Sequence, residues 1–177
     1  KKQVIYALSK IALFLLAGLS LYCWVSLGLI FWLDLGPHLK GYWPWLIGGG
    51  LYFPLLFLTT KFKQGDFFKD LTLKRELILI LASLLEWGFA ALFFIFIGEQ
   101  LGIHTNYAAV LALYFTGSVL GIVSMVPGGL GSFDVFMMIG LLPFGVTTEQ
   151  AVIWLLFFRL FYYIIPFGIG LSFFVHY

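Results

Sequence analysis

Long apolar runs dominate the chain, interrupted by short polar stretches and by segments rich in glycine and proline. A transmembrane helix needs about 20 apolar residues at about 1.5 Å each. Residues 11–33 meet that requirement, and 4–8 extend the run as an interfacial turn. Residues 44–60 form a shorter second span, in which Pro44 suits a first helical position and Pro54 predicts a kink. Third and fourth spans are expected at 77–98 and 107–126. The helix then breaks over 127–142, where the apolar piece 133–142 is too short to cross alone. A last span over 149–175 opens with Thr147 and Gln150 at capping-box spacing. The pattern predicts an all-α integral membrane protein. It is a polytopic helical bundle with about five spanning helices and one short re-entrant or broken helix, in a single transmembrane domain over 1–177 with no soluble domain.

Composition removes the soluble alternatives. The 177 residues are 62% hydrophobic and 10% charged, and mean hydropathy is +1.05. Soluble domains carry about 25% charged residues, and a 20 kDa globule has too little interior to hide so much apolar surface. A water-soluble enzyme, a disordered chain and a nucleic-acid-binding module are excluded. Cys23 is alone in an apolar run, and His38, His104 and His176 lack ligand spacing, so no disulfide framework, metal or cofactor is expected in this segment.

The charges then orient the bundle. Of the 10 basic residues, Lys1, Lys2, Lys10, Lys61, Lys63, Lys69, Lys74 and Arg75 fall in the N-terminus and the 61–75 loop. Those two segments are predicted cytoplasmic. The 34–43 loop carries only Lys40, with Trp32, Tyr42, Trp43 and Trp45 placed as an aromatic belt around it. The 61–75 stretch reads first as a topogenic basic loop and second as a lipid-headgroup site. No internal repeat, domain linker or leader pattern is evident, and the chain reads as a piece of a longer protein.

Four charges sit in or near the apolar runs: Glu86, Glu99, Asp134 and Arg159. Glu99 lies at a span end and is read as solvated. Glu86 and Arg159 lie near the centres of their runs, where lipid exposure of an ionised group costs about 2.5–3.5 kcal/mol on insertion scales. They are expected to face a bundle interior or a watery cavity, paired or hydrogen-bonded. Ala82, Ser83 and Ala90 give Glu86 a small-residue face that admits another helix. Tyr162 and Tyr163, three and four residues after Arg159, are placed to stack on or hydrogen-bond its guanidinium, and Pro166 frees a backbone carbonyl. Two readings stay open: a structural ion pair between Arg159 and one acid, or a polar site that meets a substrate or ion.

The richest segment runs Pro127-Gly128-Gly129-Leu130-Gly131-Ser132-Phe133-Asp134. Pro127 stops the fourth helix, and the glycines permit positive φ or close backbone approach. Ser132 is read as the N-cap of a helix beginning at Phe133, with Asp134 in the dipole-favoured first turn. Non-helical backbone at membrane depth survives only under protein or beside a watery cavity, and broken helices of this kind form transporter sites. A plain extramembrane turn is the competing reading. A phosphate loop is not, since no Gly-Lys-Ser/Thr ending follows. Gly117, Gly121, Ser124 and Gly128 form a small-residue stripe read as helix packing.

The segment 127–134, followed by Arg159-Leu-Phe-Tyr-Tyr-Ile-Ile-Pro166, resembles the membrane region of lysyl-phosphatidylglycerol synthase/flippases, also called multiple peptide resistance factors. Glu86 fits an acidic position in an earlier helix of that family, and Asp134 stands where the wider family often has Glu. The rest of the chain matches in hydropathy and order. The resemblance implies an N-terminal multi-pass flippase in a bacterial cell membrane and a C-terminal synthase that esterifies phosphatidylglycerol with lysine from charged tRNA. This chain would be an internal or C-terminal part of the flippase half, and would meet tRNA only through the missing soluble domain. Its implied partners are the bilayer, anionic and aminoacylated phospholipids, and a second copy as a homo-oligomer. Glu86 and Asp134 would receive the ammonium groups of the lipid and Arg159 its phosphate, aided by backbone N–H groups after Pro127. A membrane scaffold for the synthase and an ion-coupled transporter are the rival functions. Catalysis within this segment is not expected, because no nucleophile–base pair is present.

Overall fold

The computed structural model describes residues 2–62 and 72–176; Lys1, Lys63 and Lys69, which helped set the predicted orientation, lie outside the described residues. The helices are α1 (Lys2–Trp32), α2 (Pro37–Lys40), α3 (Trp43–Gly50), α4 (Tyr52–Phe62), α5 (Leu73–Gln100), α6 (Tyr107–Val123), α7 (Ser132–Leu141), α8 (Thr148–Arg159) and α9 (Ile165–His176). No strand occurs among the described residues. The protein is an all-α, multi-pass membrane bundle.

Helix α6 is the centre. From Val110 to Val119 every residue except Leu111 is buried, as expected of a helix that is apolar all round. Helices α1 and α5 run parallel beside it: the Gly18 N–H donates to Ser83 Oγ at 2.8 Å, and Tyr22 lies against Gly88. No Cβ fits at Gly18, where it would come within 2.5 Å of the Ser83 backbone. Tyr22 also stacks on Phe115 of α6 at 4.6 Å, binding the three helices together.

The second span divides into α3 and α4 for a reason visible in the sequence. Pro54 has no N–H for the Gly50 carbonyl four residues back. Ser20 Oγ and Trp24 Nε1 donate to that carbonyl instead, at 2.7 and 2.9 Å, and the Phe53 N–H turns to Ser20 Oγ at 2.9 Å. The expected kink is thus sealed by side chains of α1. Pro166 acts in the same way on the last span. It denies the Tyr162 carbonyl its partner, and Leu160–Ile164 adopts a π turn between α8 and α9. The single run read over 149–175 is therefore two helices.

Other boundaries shift as well. Helix α6 stops at Val123, ahead of the expected 126, because Met125 takes φ 56°. At 17 residues it spans about 26 Å. Five other stretches are long and apolar enough to cross a membrane: Leu8–Trp32, Trp43–Phe62, Leu73–Gln100, Pro127–Phe144 and Thr148–Phe173. The broken segment is among them only when its flanking 3₁₀ turns are included, since α7 alone covers about 15 Å.

An aromatic cluster fixes α5, α6, α7 and α8 around the break. Trp154 stacks on Phe94 at 4.7 Å, and its Nε1 donates to the Phe94 carbonyl at 2.7 Å. Gly98 leaves room for that indole. Phe133 and Phe158 meet Phe94 and Tyr114 edge-on. Thr105 Oγ1 donates to the Phe144 carbonyl, so the turn after α7 lies beside the turn after α5.

Candidate functional site

Ser124 to Gly131 joins α6 to α7 without regular helix. Gly128, Gly129 and Gly131 take φ of 66°, 62° and 86°, values that L side chains adopt only with strain. Gly129 also faces Gly121, whose Cα would lie 3.2 Å from an added Cβ. The small-residue stripe on α6 therefore does pack: Gly121 receives the glycine turn and Gly117 receives Phe133 and Phe136.

The helix after this turn begins one residue earlier than the sequence indicates. Gly131 is the N-cap, so Ser132 does not cap it. Ser132 Oγ instead meets Ser124 Oγ at 2.9 Å. The side chain of Asp134 takes over the capping role, with Oδ2 accepting the Gly131 N–H at 2.9 Å.

Arg159, in the last turn of α8, reaches this same place. Its Nε and Nη2 donate to the two oxygens of Asp134 at 3.1 Å each, a bidentate pair. Nη1 donates to the Gly128 carbonyl at 2.7 Å, and Nη2 lies 3.5 Å from the Gly129 carbonyl. Tyr163 lies under the guanidinium at 4.9 Å and Phe133 at 5.6 Å. Tyr162 does not join this contact; it stacks on Phe158 at 5.1 Å. Arg159 is 12% exposed and Asp134 23%, and both open on a largely apolar groove of about 970 Å³ that reaches from Pro127 to Phe167.

Depth follows from the helix rise. Arg159 is about 17 Å down α8 from Thr148, and Glu86 is about 21 Å down α5 from Gln100, so both lie deep in the bundle at similar levels. Their partners differ, however. Glu86 is exposed on the flank of α5, and among the described residues it makes no hydrogen bond or ion pair; this corrects the interior placement expected for it. Ser83 and Ala90 do lie on a buried face. Glu86 falls just past its edge, about 60° round from Ser83. It remains within electrostatic reach of Tyr162. Glu99 meets the Tyr107 hydroxyl at 2.7 Å and His104 Nδ1 at 3.3 Å at the end of its span.

Chain-wide similarity accords with this architecture. The chain matches the family described as the lysylphosphatidylglycerol synthase TM region over residues 3–170. It belongs to that family. Relatives named phosphatidylglycerol lysyltransferase include one from Bacillus subtilis (strain 168), 33% identical over 138 residues, covering 73% of this chain and 16% of the relative. Those from Staphylococcus aureus strains MRSA252 and COL are each 34% identical over 91 residues, 51% of this chain and 11% of the relative. The chain thus spans a minor part of these relatives' length. No solved structure matches it.

Of the residues that meet here, the sequence singles out Asp134, Arg159, Tyr163 and the glycines, but not the carbonyls of Gly128 and Gly129 as arginine acceptors. Glycine spacing shows where a chain can turn or approach closely, and says nothing of where the glycine carbonyls point.

Proposed function

We propose that the chain is part of a lipid flippase that moves aminoacylated phosphatidylglycerol, the lysyl form foremost, to the outer leaflet of a bacterial cell membrane. The parent protein would carry a phosphatidylglycerol lysyltransferase domain, and its product would lower negative surface charge and protect against cationic antimicrobial peptides. Family membership and the name of the relatives support the lipid class. The observation that carries the reading is the Asp134–Arg159 pair, deep in the bundle and open to an apolar groove. Such a site offers a carboxylate to the ammonium groups of a lysyl lipid and a guanidinium to its phosphate, beside apolar wall for an acyl chain.

A scaffold role is the second reading, favoured by one observation: Asp134 and Arg159 are matched to each other and to the turn. For translocation the lipid must exchange with that pair, and the turn at Gly128, Gly129 and Gly131 is the hinge that lets it. Glu86, exposed at similar depth, would meet the second ammonium group. The test is outer-leaflet labelling of lysyl-phosphatidylglycerol in cells expressing Glu86→Ala or Asp134→Ala at equal protein levels. The outer pool falls while total synthesis is intact; an unchanged outer pool in both variants favours the scaffold.

A further inference from the structure

Between α8 and α9 the helix is wound more loosely, and the loosening begins right after Arg159. The Ile165 N–H donates to the Leu160 carbonyl, five residues back instead of four. Upstream, the Leu160 N–H still reaches the Leu156 carbonyl in the ordinary α register. The change is confined to Leu160–Ile164, two residues short of Pro166. That proline explains it. In a regular helix its ring would clash with the Tyr162 carbonyl four residues back, and it has no N–H to offer that carbonyl. Opening the turn by one residue relieves the clash.

Side chains beyond the turn move with it. On an α-helix the row that follows position i holds i+3, i+4 and i+7, which after Arg159 would be Tyr162, Tyr163 and Pro166. The wall of the large groove instead carries Arg159, Tyr163, Ile164 and Phe167, at i+4, i+5 and i+8. Every step is one residue longer. The ring contacts agree: Tyr163 lies 4.9 Å from the guanidinium, while Tyr162 is turned to Phe158 at 5.1 Å. Two tyrosines that the sequence puts together beside Arg159 are thereby separated. One lines the groove, and the other faces α5, where Phe93 lies 6.5 Å away.

We propose that Pro166 is a positioning residue for the Arg159 site: by imposing the π turn it inserts one residue into the groove-facing row, so that Tyr163 and not Tyr162 lies under the guanidinium. A ring contact holds a cation without consuming its N–H groups. Those stay with oxygen acceptors, which are Asp134 and the Gly128 carbonyl in this structure and would be a lipid phosphate on exchange. The proposal rests on the lipid-binding reading above and adds to it the element that sets which side chain supports the phosphate-binding arginine.

The test uses the full-length protein in nanodiscs of phosphatidylcholine, with phosphatidylglycerol as the titrated probe. In the proline-bearing protein, Tyr163→Leu lowers the affinity about three- to tenfold, the worth of a cation–π contact, and Tyr162→Leu changes it less than about twofold. Pro166→Ala restores the missing N–H and with it the α register. In that background Tyr162→Leu becomes costly as well, by about threefold or more. Pro166→Leu restores the same N–H and repeats the test with a bulkier apolar side chain. A merely structural proline would lower the thermal midpoint without moving the sensitivity to Tyr162. Tyr162→Leu remaining silent in both proline variants, or equal losses for the two tyrosines in the proline-bearing protein, overturns the positioning role while leaving the lipid-binding reading intact. Failure of wild type to bind phosphatidylglycerol above the phosphatidylcholine background overturns both.

Discussion

At the scale of single residues, Asp134 and Arg159 dominate. Each is less than a quarter exposed, and each completes the other's hydrogen bonding. Removing one partner of such a pair leaves a charge in a low-dielectric site and costs on the order of 3 kcal/mol. Arg159→Ala should therefore destabilise the protein by about that amount in detergent unfolding, and Asp134→Ala/Arg159→Ala should recover part of the loss. A cost below about 1 kcal/mol for Arg159→Ala would instead mark the pair as solvated, like a surface bridge. Arg159→Lys should not rescue, because an ammonium cannot fork to both carboxylate oxygens and still reach the Gly128 carbonyl.

At the scale of elements, the glycine turn makes a graded prediction. Gly129→Ala combines φ of 62° with a Cβ only 3.2 Å from the Gly121 Cα, whereas Gly131→Ala has φ of 86° but open space. The left-handed backbone costs an L residue about 1–2 kcal/mol. Gly131→Ala should cost about that, and Gly129→Ala clearly more. Equal thermal midpoints would mean that α6 and the turn do not pack as described. The turn was legible as a break because proline and glycine end helices by local geometry. Its exact helix start was not legible: Gly131 at φ 86° moves the cap one residue ahead of Ser132, and Asp134 supplies the acceptor that a glycine cannot. The π turn follows from Pro166, yet the sequence alone does not say whether a freed carbonyl yields a kink, a bonded side chain as at Pro54, or a widened turn. Nor could periodicity choose the acid that pairs with Arg159. Asp134 and Glu86 both lie at suitable depth, and the choice is made by α7 packing between α6 and α8, with Glu86 just past the buried arc of α5.

At the scale of the whole molecule, parallel α1 and α5 put Lys61, Lys74 and Arg75 near one end of the bundle, and Asp34, Glu99 and Glu149 near the other. Lys40, the basic residue of the 34–43 loop, lies 2.7 Å from Asp34, so even that charge is offset. By the positive-inside rule the basic end is expected on the cytoplasmic side. In a Cys23→Ser background, a membrane-impermeant maleimide applied to intact cells should label His104→Cys and spare Lys61→Cys; the reverse pattern would invert the topology.

The central claim is that the broken helix lies in the path of the lipid, and Asp134→Asn tests it most directly. The amide keeps an acceptor for the Gly131 N–H but removes the charge facing Arg159. The measurement is outer-leaflet lysyl-phosphatidylglycerol, labelled from outside with an impermeant amine reagent, in cells carrying the full-length protein at matched total lipid. The account predicts a depleted outer pool with synthesis unchanged. An outer pool equal to that of wild type would contradict it and return Asp134 and Arg159 to a purely structural pair.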